Sequence, residues 1–235
     1  MINWLYPERC PVCLRLVIPK GAGIHSECRH KLDRIKEPVC FKCGMPLASE
    51  EEEYCRACLQ EPDRGWDSGR SLFPYHGVME KALQLVKREG TEEFVLFFAK
   101  QIKESQMAFI RQVAPECIVP VPLHPTKLRS RGFNQAELLA EALGEETGLP
   151  VRKLLLKKKK TKDQKSLNRN LRRKNVKDAF GVDEEEMNSQ VPVSVLLLDD
   201  VSTTGSTLTA CASVLKAYGV QRVSYISICV AEQMD

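Results

Sequence analysis

Val195-Leu196-Leu197-Leu198-Asp199-Asp200-Val201-Ser202-Thr203-Thr204-Gly205-Ser206-Thr207 joins an aliphatic run to a Ser/Thr/Gly loop through two adjacent acids. The aliphatic run predicts a strand buried on both faces, as in a parallel sheet. The acids are expected to end that strand, and the loop to open a helix over 206–218. Such a junction is an anion cradle. Gly205 lets the backbone approach a ligand, successive amides point inward, and the helix start adds positive dipole. The hydroxyls of Thr203, Thr204, Ser206 and Thr207 can donate to phosphate oxygens. Asp199 and Asp200 suit a ligand with neighbouring hydroxyls and a metal-bound polyphosphate. Neither the Gly-Lys-Ser/Thr of a P-loop nor Gly-x-Gly-x-x-Gly is present. The competing reading is a Ser/Thr-rich turn beside an Asp helix cap.

Outward from this stretch, apolar patterning alternates between strand and helix. Residues 70–75 read as a strand. Residues 77–88 carry Val78, Ala82, Leu85 and Val86 at helical spacing and stop at Gly90. A second helix is predicted over 92–113, a short strand over 118–121, and a helix over 134–147 capped by Asn134 and closed by Gly148. A strand is expected over 151–156 and another over 193–198. In the helix over 206–218, Leu208, Cys211, Leu215 and Tyr218 are expected to face inward. A last strand runs over 223–230. Strands alternating with helices predict an α/β domain with a mostly parallel sheet flanked by helices.

The first 60 residues look different. Seven of the ten cysteines fall there: Cys10, Cys13, Cys28, Cys40, Cys43, Cys55 and Cys58. Two-residue gaps let paired thiolates grip one tetrahedral ion from a tight turn. Cys40, Cys43, Cys55 and Cys58 form two such pairs, a complete four-cysteine zinc ribbon. Cys10, Cys13 and Cys28 form a second, incomplete set. His25, three residues before Cys28, can supply the fourth ligand, with His30 as competitor; a surface histidine without a metal role is the plainer reading. Both sites are expected to be structural zinc, since so short a segment cannot build a self-sufficient core. Cys117, Cys211 and Cys229 stand in apolar surroundings and read as small buried hydrophobes. The expected division is a double zinc-ribbon-like domain over 1–62 and a larger α/β domain over 63–235.

The totals exclude some classes. With 43% hydrophobic and 28% charged residues, the chain is too apolar to be disordered. It has no apolar run of membrane-spanning length and no secretory pattern at its start, so no membrane insertion and a cytoplasmic location are expected. The net charge of +4 conceals an asymmetry. Residues 152–177 hold thirteen Lys/Arg and one acid, Asp163, whereas the remainder is acidic. That segment, which includes Lys157, Lys158, Lys159 and Lys160, reads as a cationic loop. It can close on a polyphosphate, bind nucleic-acid phosphates, or stay simply solvated.

The stretch from Val195 to Thr207 closely resembles the phosphoribosyl pyrophosphate (PRPP) motif of type I phosphoribosyltransferases. Val119-Pro120-Val121-Pro122-Leu123-His124-Pro125, followed by Leu128-Arg129-Ser130-Arg131-Gly132-Phe133-Asn134-Gln135, resembles the ComF family, as do Tyr75, Gly77, Lys87 to Gly90, Gln164, Leu167 and Asn175 to Phe180. That family couples a cysteine-rich zinc region to a type I phosphoribosyltransferase fold. The resemblance implies that Asp199 and Asp200 contact the ribose 2′- and 3′-hydroxyls. It also implies that Val201, Ser202, Thr203, Thr204, Gly205, Ser206 and Thr207 hold the 5′-phosphate. Arg129 and Arg131 would serve the pyrophosphate, with Mg2+ bridging it, and Asp199, Asp200 and Arg131 would be the catalytic set. It further implies a role in natural transformation, handling imported single-stranded DNA together with DNA-uptake proteins. A nucleotide-salvage transferase without a DNA role and a non-catalytic PRPP-sensing adaptor are the alternatives. The chain departs from the family pattern at His25, where a cysteine is usual, and at residues 87–90, which lack a common aromatic.

Overall fold

A computed structural model describes residues 8–19, 21–158 and 179–231. The rough duplication seen in the cysteine spacing is a structural repeat. In each ribbon a knuckle turns back on itself: Cys10 N–H donates to Arg15 O (2.9 Å), and Cys40 N–H donates to Met45 O (2.8 Å). Leu14 and Gly44, four residues into each knuckle, share a left-handed φ, 63° and 69°. The second half of each ribbon is a single helical turn, α1 (Ser26–Arg29) and α2 (Arg56–Gln60). His25 occupies the N-cap of α1 as Cys55 occupies the N-cap of α2.

The larger part is a four-stranded parallel sheet in the order β1 (Ser68–Pro74), β6 (Arg222–Val230), β5 (Ser194–Ser202), β2 (Cys117–Pro120). Period-two alternation splits the core between its faces. Leu196, Leu198, Ile226 and Ile228 pack with α3 (Gly77–Glu89), α4 (Glu92–Val113) and α6 (Gln135–Thr147). Val195, Leu197, Val223 and Tyr225 pack with Met187 of α7 (Glu184–Ser189) and with α8 (Ser206–Ala217). The first ribbon contributes Cys10, Val17, Ile24 and Cys28 to the former cluster, and the second contributes Cys40 and Cys58 to the latter. The two ribbons thus straddle the outer edge of β1. They also satisfy its backbone: Ile35 N–H donates to Leu72 O (3.0 Å), and Gly69 N–H donates to Lys42 O (2.7 Å). An edge strand that would otherwise recruit another chain is covered. The close fit demands glycine at 69, because a Cβ there would lie 2.0 Å from the Tyr225 ring.

Four expectations need correction. The strand does not end at the acids but runs to Ser202, because β6 continues the ladder through Asp199↔Ser227, Val201↔Cys229 and Ser202↔Val230. Tyr218 is not inward: it lies beyond the last turn of α8, half exposed. Val193 is likewise exposed and precedes β5. The strand expected over 151–156 is instead β3 (Leu155–Lys157), with Val151 making one parallel bridge to Ile118. β3 pairs antiparallel with β4 (Phe180–Val182), and Lys158 N–H donates to Ala179 O (2.8 Å). The two ends of the basic segment are therefore tied together. Lys159, Lys160, Gln164, Leu167 and Asn175 lie outside the described residues. Cys117, Cys211 and Cys229 are buried. No helix among the described residues is long and apolar enough to cross a membrane.

Candidate functional site

Ligands of open parallel sheets bind beyond the carboxyl ends of the strands. Here β5 delivers Asp199, Asp200 and the loop 203–205 to that edge, and its neighbour β2 delivers the segment carrying Arg129 and Arg131. Gly205, at φ 72°, is the N-cap of the 12-residue α8. It offers no side-chain cap, and the first turn carries no acid. The amides that open α8 are therefore free of an anionic side chain, the condition an external anion requires. Ser206 N–H donates to Thr204 Oγ1 (3.4 Å), whose hydroxyl donates to Ser206 Oγ (3.0 Å). This contact ties the loop to the first residue of α8. Thr203 is exposed, and Ser202 is buried beneath it.

The two acids differ in surroundings. Asp200 is buried, and its Oδ2 lies 2.6 Å from Lys87 Nζ. Lys87 stands in the last turn of α3. Burial opposes its charge, but Asp200 outweighs burial and holds the ammonium above its ordinary pKa. Asp199 is partly buried and accepts from the Asp200 amide (2.9 Å). Desolvation first, and the Asp200 charge second, push its carboxyl well above the usual range. In the window above that range the folded chain holds a proton that the unfolded chain has lost. Stability therefore falls as pH rises through the raised pKa. Asp199→Asn is expected to abolish that decline and to be more stable than wild type near pH 7. Denaturant melts from pH 4 to 8 check this; parallel curves for the two proteins would contradict it.

Lys157, on β3, feels the charge of Asp199. Its ammonium lies 4.9 Å from the Phe180 ring centroid. Desolvation lowers its pKa, Lys127 adds to the shift, and Cys211 and Asp199 oppose it. Lys158 is exposed. Arg129 and Arg131 lie just before α6, where the sequence predicted no element. Residues Pro125–Arg131 form a helix of their own, α5. Pro125 suits its first turn, His124 caps it by accepting from Thr126 N–H (3.2 Å), and Gly132 ends it in the left-handed region. Arg131 donates to Gln135 Oε1, and Arg129 is exposed. Among the described residues, no hydrogen bond or ion pair joins either arginine to Asp199, Asp200 or the loop. Lys87 is the residue that sequence reasoning passed over. It was noted only as part of a pattern, 113 positions from its partner, and a lone helical lysine carries no signal of its own.

The ribbons gather two tetrads. The ligand atoms of Cys10, Cys13, His25 and Cys28 lie within 4.8 Å of one another, as do those of Cys40, Cys43, Cys55 and Cys58. His30 is exposed and outside the first tetrad. His25 Nε2 is 2.8 Å from Leu16 O, and Nδ1 is 3.4 Å from Cys13 Sγ. A proton on Nε2, donated to that carbonyl, leaves the Nδ1 lone pair facing the three sulfurs, as a zinc ligand needs. The donor set fits tetrahedral zinc with no open position.

Residues 1–59 match the double zinc ribbon domain family. The chain is 31% identical to competence protein F of Haemophilus influenzae over 95% of this chain and 96% of that protein. It is 30% identical to competence protein ComFC of Bacillus subtilis over 77% of this chain and 72% of that protein. It is 28% identical to the DNA utilization protein YhgH of Salmonella typhimurium over 95% of this chain and 97% of that protein. The solved structure of the allosteric regulatory enzyme of purine biosynthesis aligns with 56% of this chain and 24% of that one, at 18% identity and a TM-score of 0.35.

Proposed function

The chain belongs to the ComF family of competence proteins, and on that footing we propose that it binds PRPP with Mg2+ and acts on imported single-stranded DNA. The single observation that carries the PRPP half is the conjunction at the end of β5. An uncapped, acid-free helix start lies beyond two carboxylates, one of them held by Lys87. In this reading the amides and hydroxyls of residues 201–207 bind the 5′-phosphate. Asp199 and Asp200 accept from the ribose hydroxyls, and Lys87 fixes the Asp200 carboxylate against rotation. Mg2+ supplies charge neutralisation on the pyrophosphate. Lys157 sits on the strand from which the basic segment departs, so closure of that segment would bring cations to the departing pyrophosphate and exclude water. Arg129 and Arg131 serve the same group if α5 turns toward it. The chain divides near residue 62, and the ribbons hold two structural zinc ions through Cys10, Cys13, His25 and Cys28 and through Cys40, Cys43, Cys55 and Cys58.

The DNA half rests on the names of the relatives and on the thirteen basic residues over 152–177. Each Lys or Arg that meets a phosphate releases a counterion, so binding must weaken steeply with salt. Affinity for an oligodeoxythymidylate is expected to fall at least tenfold between 50 and 200 mM salt. Replacing Lys157, Lys158, Lys159 and Lys160 by glutamine should flatten that slope. A salt-independent affinity, or an unchanged slope in the variant, contradicts the DNA half. In the same buffer, PRPP with Mg2+ should raise the melting temperature by mass action.

A further inference from the structure

The first ribbon does more than cover β1: it also grips the corner between α3 and α4. Arg9, next to Cys10, is fixed in the knuckle by an antiparallel bridge to Leu16, and beside it Val17 N–H donates to Glu8 O (2.8 Å). Its guanidinium meets three side chains of the corner. Nε donates to Glu93 Oε1 (3.0 Å), Nη2 lies 3.9 Å from Glu89 Oε2, and the group stands 5.8 Å from the Phe94 ring centroid. Glu89 is the last residue of α3, while Glu93 and Phe94 belong to the first turn of α4. Phe133 closes on the same corner, since a Cβ on Gly90 would lie 3.0 Å from its ring.

The last turn of α3 also carries Lys87, whose ammonium lies 2.6 Å from Asp200 Oδ2 and 5.8 Å from the Tyr75 ring centroid. Residues two apart on a helix do not share a face, so Lys87 and Glu89 leave α3 on different sides. One turn therefore answers to the ribbon and to β5 at once. The helix dipole opposes an acid at a carboxyl end, so Glu89 needs a cation nearby, and Arg9 supplies it. Without Arg9 the turn loses this outside support and frays more readily. We propose that Arg9 is a positioning residue: it holds the last turn of α3 so that Lys87 stays on Asp200, and it thereby couples the first ribbon to the PRPP site. The effect on binding rests on the PRPP reading; the effect on the Lys87–Asp200 pair does not.

Calorimetric titration of the full chain with PRPP and Mg2+ tests this through a mutant cycle. Arg9→Met should weaken binding about threefold to tenfold, a loss bounded by the partial exposure of its ion pairs. In the Lys87→Met background the same change should cost less than about twofold, because the residue that Arg9 positions is gone. A merely structural Arg9 would weaken binding equally in both backgrounds. Glu93→Gln removes the shorter ion pair and leaves the ribbon untouched, so it should show the same pattern, and it serves if Arg9→Met fails to fold. Arg15→Met, on the same knuckle but paired only with Glu27, should leave affinity unchanged. If the wild type does not bind PRPP, the PRPP reading fails, and denaturant melts decide the inference instead. The coupling between Lys87→Met and Asp200→Asn should then shrink by about half or more once Arg9 is Met. Equal losses of affinity in both backgrounds, or an undiminished Lys87–Asp200 coupling in the melts, overturn the proposal.

Discussion

Cys40→Ser combined with Cys43→Ser is expected to halve the zinc content of the chain from two ions to one and to lower the melting temperature by more than about 10 °C. Two features make the effect large. The first is the donor chemistry: structural zinc in small ribbons contributes apparent binding energies of about 10–16 kcal/mol, all of it folding energy. The second is where the ribbon is attached. Cys40 and Cys58 are buried in the same core as Trp66, Leu197, Cys211 and Tyr225. Tyr225 OH donates to Cys43 O (3.2 Å), and Gly69 N–H donates to Lys42 O (2.7 Å). Opening this ribbon would uncover β1 and one face of the sheet. His25→Ala should also remove one ion, but with a smaller loss of stability, because it removes one partly buried ligand, whereas the double variant loses two, one of them the fully buried Cys40. Metal analysis and thermal melts check both variants. Full zinc occupancy, or an unchanged melting temperature in the double cysteine variant, would contradict the assignment.

The parts of this molecule that were legible in the sequence are those written locally. The tetrad 40, 43, 55, 58 is two contiguous pairs, so spacing sufficed there, whereas the choice between His25 and His30 needed the fold, which sets His25 at the N-cap of α1 beside the three thiols. The stretch proposed as an anion cradle is thirteen adjacent residues. Helix limits at Gly90, Asn134 and Gly148 are local too, each set by a cap. What escaped depends on partners far along the chain. Asp199 and Asp200 lie inside a strand because β6 extends its ladder past them, and nothing in the two acids announces that. Helix α5 begins at Pro125, within a proline-rich stretch that carries no helical periodicity of its own. Lys87 and Asp200 meet only after β1, α3 and β5 are in place.

Removing both carboxylates at the end of β5, by Asp199→Ala plus Asp200→Ala, is expected to weaken PRPP binding at least a hundredfold while leaving the chain folded. In the proposed pose each acid accepts from a ribose hydroxyl, and hydrogen bonds to carboxylates are worth about 1.5–3 kcal/mol apiece, so losing two exceeds a factor of a hundred. The fold should tolerate the change. Asp199 is a carboxyl kept in an environment that disfavours its charge, and the Lys87 ammonium, 27% exposed, can turn to water once Asp200 is gone. Lys87→Met should fall between the two proteins, since it frees Asp200 to rotate but leaves both acceptors present. The most direct measurement is calorimetric titration of the wild-type chain with PRPP at saturating Mg2+, repeated on the double variant. Saturable one-to-one binding by the wild type, Mg2+-dependent and lost in the double variant, is the predicted result. No binding by the wild type, or equal binding by both, would contradict the account.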